Sequence, residues 1–402
     1  MKFTREPLLA FSAILAIAFA QAACATAQRS TESSAYASFG VDLYKELLRE
    51  KPEANIFISS ASVGFALAMT MNGAADGTRD AMANVLRLSG IGIEAVSTAD
   101  STLINRMNDT IRAVKLSVAN SLWARRDVTF KKDFLQRNKR YYGADIRVLD
   151  FSNPGAPATI NNWVAEKTND KIAKIVDAID PSTILFLINA IYFKGTWSKE
   201  FDKTLTREAP FRLMDGSTSP RPMMRQSGKY DYLDGEGFQA VRLPYGDGRI
   251  GMYVFLPADS SSLERFHEGL TGEELNAWIG NLAPRSGTVG LPRFRLEYEA
   301  VLNQSLSALG MTVAFDAERA NFTKMFDAAG ANAYIHEVRH KTFVEVNEEG
   351  TEAAAVTSVE MRVTSVMEEE PPFEMIVDRP FFLAIVDRET GLILFMGAIV
   401  NP

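Results

Sequence analysis

Glu348-Glu349-Gly350-Thr351-Glu352-Ala353-Ala354-Ala355-Val356-Thr357-Ser358-Val359-Glu360-Met361-Arg362-Val363-Thr364-Ser365 does not read as an ordinary surface loop. It holds one Gly and no Pro before Pro371, whereas loops are rich in turn residues. Every second residue gives a small-to-apolar face of Thr351, Ala353, Ala355, Thr357, Val359 and Met361. The other face, Glu352 to Arg362, is mostly polar, so the pattern is that of a half-buried strand. Yet the run ends in Glu368-Glu369-Glu370-Pro371-Pro372, which requires water. A second reading is open at this point: Thr351 ahead of three alanines also suits a capped helix.

The chain around it has ordinary globular composition, 402 residues with 47% hydrophobic and 23% charged. A net charge of −7 argues against a general nucleic-acid or anionic-membrane binder. Lys2 and Arg5 precede an apolar run, Leu8 to Ala20, too short to span a bilayer. Three A-x-A patterns follow between Ala20 and Ala27, so residues 1–27 read as a signal peptide cut between positions 22 and 27. A cut after Ala27 removes two cations and one anion, taking the charge to −8. The protein is expected to be exported, secreted or periplasmic, with no transmembrane helix. The alternative is a lipoprotein anchored at Cys24, the only cysteine; either way no internal disulfide forms.

Helical periodicity spans Ser34 to Arg49, and a helix apolar nearly all round runs from Val63 to Met71 after the short strand Asn55–Ile58. Ser117–Ala124 reads as a strand and Ile160–Ile175 as an amphipathic helix with Trp163. The apolar run Ile184–Phe193 reads as a central strand covered on both faces, and Asn189 in its middle demands hydrogen-bond partners. Later strands fit Ala240–Leu243, Ile250–Leu256, Lys341–Val346, Phe373–Val377, Phe381–Val386 and Leu392–Ile399, with a turn at Asp387–Gly391. Helices early and strands late point to one large α+β domain.

Enzymatic signatures are missing: the sequence has no G-x-S-x-G elbow, P-loop, dinucleotide fingerprint or H-E-x-x-H. His336 and His340 are spaced like a helical metal pair, but Lys341–Val346 alternates as a strand, so no metal is expected. Seven cations between Arg125 and Arg140 read as a solvated face, with a polyanion site as the minor reading.

The chain resembles the serpins, the conformationally driven protease inhibitors, from about Ser34 to Pro402. Asn55–Ser62, Asn189–Trp197, His340-Lys341 with Glu345–Ala355, Asp378–Phe382 and Phe395–Pro402 match the family's motifs in family order. The resemblance implies a bacterial exported member of inhibitory type: one domain over residues 28–402 with three β-sheets, about eight or nine helices and an exposed reactive-centre loop at 348–372. It implies no enzyme and no cofactor, but a suicide substrate. A target serine protease cleaves the loop and forms an acyl-enzyme; the cut loop enters the main sheet and traps the protease covalently.

The hinge would be Glu348, Glu349, Gly350, Thr351, Glu352, Ala353, Ala354 and Ala355. An inhibitor needs small, uncharged residues on the inward face, because a buried charge is costly; the face from Thr351 to Met361 meets that need. Family register puts the reactive bond at Thr364-Ser365, sixteen positions past Glu348, for an elastase-like or subtilisin-like target. The alternative, Arg362-Val363, suits a trypsin-like or cysteine protease. Ser59, Ser62, Asn189 and His340 match the family's shutter; Trp197, Arg293 and Glu348 match its breach, with an expected Arg293–Glu348 ion pair. Ser60 departs from the usual Pro. The weak stretch Ser89–Asp100, with Arg87 as its one nearby cation, does not support a heparin-like cofactor. A monomer is expected, and a non-inhibitory serpin is the other alternative.

Overall fold

The structure, a computed structural model, describes residues 32–108, 114–180, 183–258, 263–326, 333–351 and 371–402. Residues 1–27, read above as a signal peptide, lie outside the described residues with Cys24, as do Glu352, Ala353, Ala354, Ala355, Arg362, Val363, Thr364 and Ser365. Among the described residues there are nine α-helices and two hydrogen-bonded sheets. No helix among them is long and apolar enough to cross a membrane.

Six strands form the first sheet. Their order is Phe294–Val301, Glu337–Asn347, Gly350–Thr351, Leu185–Thr196, Val114–Arg125 and Asp145–Leu149. Leu185–Thr196 is apolar throughout because it serves two cores. Phe186, Ile188, Ala190 and Tyr192 enter a small core with Trp123, Trp163 and Phe343, beneath the helix Ala156–Lys167. Leu187, Ile191 and Phe193 enter the main core on the other face. There the helix Ser60–Met71 is buried all round, as its lack of a polar face requires, and Ser59 caps it through Ser62 N.

The second sheet has nine strands, and the C-terminal hairpin Phe381–Asp387 with Leu392–Ile399 lies near one edge. Two of the three expected sheets are continuous here. The 18-residue strand Thr218–Gly235 pairs with Arg207–Arg212, Ala283–Pro292 and Phe238–Pro244 along successive parts of its length. A long twisted strand can change partners without breaking, and so it joins what would otherwise be two sheets.

The helix expected over Ile160–Ile175 ends at Lys167. Asn169 and Asp170 take left-handed φ values of 52° and 61°. Thr168 donates to Val164 O and accepts from Ile172 N, while Asn161 Oδ1 accepts from Ile175 N and Val176 N. Side-chain hydrogen bonds thus turn the chain back on itself and still bury Ile172 and Ile175. Apolar spacing alone reads that burial as further helix.

Candidate functional site

The central feature is a seam. Glu337–Phe343 pairs directly and in parallel with Phe186–Tyr192. Above that level the same two strands are parted by Gly350 and Thr351, which run antiparallel to both. Thr351 faces Val346 on one side and Gly195 on the other; Gly350 faces Asn347 and Thr196. The first two residues beyond Glu349 therefore occupy a strand position, while the sheet below is still closed.

Glycine is required at this entry. Gly350 has φ +147°, and a Cβ there would lie 2.1 Å from Gly195 O. Asn347 closes the preceding turn, its side-chain oxygen accepting from Glu349 N at 3.0 Å and Gly350 N at 3.3 Å. Phe201 N donates to Glu348 O and Trp197 N to Glu349 O, at 2.8 and 3.0 Å. The Trp197 indole donates to Asn347 O at 2.9 Å.

Arg293 grips Glu348 with a forked guanidinium, its Nε 2.7 Å from both carboxylate oxygens. Thr206 donates to the same carboxylate. Glu348 is only 2% exposed; burial pushes its carboxyl up, but Arg293 and Thr206 outweigh this and hold it below the usual range. Lys203 pairs with Glu349 at the rim.

Lower on the seam, three strands present polar residues in register: Asn120, Asn189 and His340. Asn189 donates to Ser62 Oγ and Asn120 Oδ1. His340 Nε2 accepts from Ser59 N at 3.1 Å, so its Nδ1 must carry the proton and donate to Asn189 Oδ1. Ser59 Oγ donates to Leu394 O at 2.6 Å, and Thr342 Oγ1 to Phe57 O at 2.6 Å. Asn189 and His340 are fully buried, and burial holds the imidazole down to about 3, so it is neutral. This network crosses the seam and anchors it to the buried helix.

The structure thus brings Ser59, Ser62, Asn189 and His340 into one cluster, and Trp197, Arg293 and Glu348 into another at the end of the sheet. The His336/His340 spacing does not form a helical pair, since His340 sits in the strand Glu337–Asn347. Of the basic run, Arg125, Arg126 and Arg137 pair with Asp127, Asp150 and Glu94.

Sequence reasoning missed three participants. Asn120 carries the same signal as Asn189, a polar residue inside a strand. Thr206 and Tyr245 carry none, because Tyr245 sits in the turn-like Pro244-Tyr245-Gly246-Asp247-Gly248. Folded, Tyr245 is fully buried, stacks on Trp197 at 4.3 Å between ring centres, and meets Thr351 Oγ1 at 2.7 Å.

Residues 34–402 match the family model described as serpin (serine protease inhibitor). The human leukocyte elastase inhibitor is 35% identical over 92% of this chain and 99% of its own length. A serpin-like protein of Thermococcus kodakarensis is 35% identical over 91% of this chain and 84% of its own. The solved structure of tengpin, a thermophilic serpin in the native state, superposes with a TM-score of 0.85 at 33% identity, covering 92% of this chain and 94% of tengpin.

Proposed function

This chain belongs to the serpin family, and from that premise we propose that it is an irreversible suicide-substrate inhibitor of serine proteases. The observation that carries the reading is the seat of Gly350 and Thr351 between the two central strands. A hinge that already fits a strand position needs only small residues behind it to continue, and Ala353 to Ala355 supply them. Added sheet hydrogen bonds and apolar burial at about 25 cal/mol per Å² would drive the rest. The fully buried Asn189–His340 contact and the forked Arg293–Glu348 pair are the restraints that insertion would have to open.

Cleavage falls at Thr364-Ser365 in this proposal, and the partner is an elastase-like or subtilisin-like protease. The name of the human elastase inhibitor, a 35% identical relative, agrees with that preference. Arg362-Val363 is the second site, for a trypsin-like or cysteine protease. The inhibitor acts as a monomer outside the cytoplasm, after removal of residues 1–27 or anchored through Cys24. A non-inhibitory serpin is disfavoured because its hinge would resist entry.

The test is incubation with a panel of serine proteases followed by denaturing gels. The expected result is an SDS-stable complex and release of the 38 residues Ser365–Pro402. Plain degradation by every protease, without a complex, overturns the reading.

A further inference from the structure

We propose that Tyr245 is the positioning residue that holds this chain's hinge one residue pair into the sheet at rest, through the hydroxyl of Thr351. The inference rests on the inhibitory reading for its consequence, but its structural core stands apart from it. Thr351 and Tyr245 are both fully buried. Their oxygens lie 2.7 Å apart. A buried hydroxyl without a partner is costly, so each of these groups stabilises the strand position of the other.

Tyr245 is itself placed with little freedom. Its ring stacks nearly parallel on Trp197, 11° from coplanar, and meets Phe193 edge-on at 5.1 Å. Its backbone N donates to Ile250 O at 2.9 Å, and it bridges to Trp197 across the sheets. Gly195 makes the approach possible: a Cβ there would lie 2.8 Å from Tyr245 Cδ1. Trp197 in turn donates to Asn347 O. The aromatic pair therefore senses both the turn before the hinge and the first inserted hydroxyl.

The consequence is a set point. With Thr351 docked, Gly350 and Thr351 are paired to both central strands; with Thr351 released, they are free, and more chain is available ahead of the reactive bond. The Tyr245–Thr351 contact fixes the balance between these two states without touching a protease.

Hydrogen–deuterium exchange on the whole protein tests this, reading the amides of Gly350, Thr351 and Gly195. In the unmodified chain these amides are protected. Tyr245→Phe keeps the stacked ring but leaves Thr351 Oγ1 unpartnered, and their exchange rises at least about tenfold. Thr351→Val does the same from the other side. The double variant Tyr245→Phe/Thr351→Val removes both hydroxyls together and restores most of the protection. Amides of Leu187 to Ile191 serve as the control for folding and stay unchanged. Equal exchange in the chain and in Tyr245→Phe, or strictly additive single and double variants, overturns the proposal. Protease complexes are scored separately: loss of complex formation in the unmodified chain sinks the inhibitory reading and leaves the Tyr245 contact standing.

Discussion

Asn189 uses both amide hydrogens and its oxygen on partners from three different elements, and it does so fully buried. Asn189→Ala removes these contacts and orphans His340 Nδ1, Ser62 and Asn120. Denaturant unfolding should show a loss of about 3 kcal/mol, more than a cavity of that size alone would cost. Protonation makes a second prediction at this scale. Burial holds His340 down to about 3 and His267 to about 4, against an ordinary 6.5. The unfolded chain therefore binds protons that the native one refuses, and stability falls as pH drops below about 6.5. Asp100 acts in the opposite direction. Burial raises it from 3.8 to about 7, even though the Tyr36 and Tyr142 hydroxyls donate to it at 2.8 and 2.7 Å. Its contribution is present below 3.8 and is lost as pH rises to 7. Two histidines outweigh one aspartate, so stability should decline between pH 6.5 and 4. Asp100→Asn should raise stability at pH 8 by about 2 kcal/mol and steepen the acid decline, as followed by thermal unfolding across pH.

At the scale of elements, the seam between Leu185–Thr196 and Glu337–Asn347 is where sequence and structure meet most directly. The apolar run with one asparagine already stated that the strand was covered twice and that Asn189 had partners, because burial leaves a polar group no other choice. The segment after Lys167 was not legible, since Thr168 and Asn161 redirect the backbone by side-chain bonds that leave the apolar spacing helical. Gly350 lies in between: its need for glycine is visible only when Gly195 O is opposite it. Gly350→Ala should exclude residues 350 and 351 from the sheet. An otherwise folded variant should then be cleaved as a substrate, with stoichiometry of inhibition rising several-fold or more in titrations against a sensitive protease. Arg293→Ala leaves the 2%-exposed Glu348 without its cation and should destabilise the native hinge by about 3 kcal/mol, read by urea unfolding.

For the whole molecule, local pattern anticipated the α+β class and the C-terminal hairpin, and buried polarity called for partners to Asn189; the grouping of Ser59, Ser62 and His340 with it, and of Trp197, Arg293 and Glu348, came from the family resemblance alone. None of these anticipated that Thr218–Gly235 would merge two sheets, a property of strand length and twist rather than of pattern. On the proposed reading, the six-stranded sheet, parted at one end by Gly350–Thr351 and closed below, takes a further strand after cleavage. About a dozen added residues at about 1 kcal/mol each, and about 2 °C per kcal/mol, give a gain on the order of 20 °C in unfolding temperature. The direct measurement is thermal unfolding before and after a protease cuts once within residues 352–370. A rise of that order after cleavage is the predicted result; an unchanged or lower unfolding temperature would contradict the account.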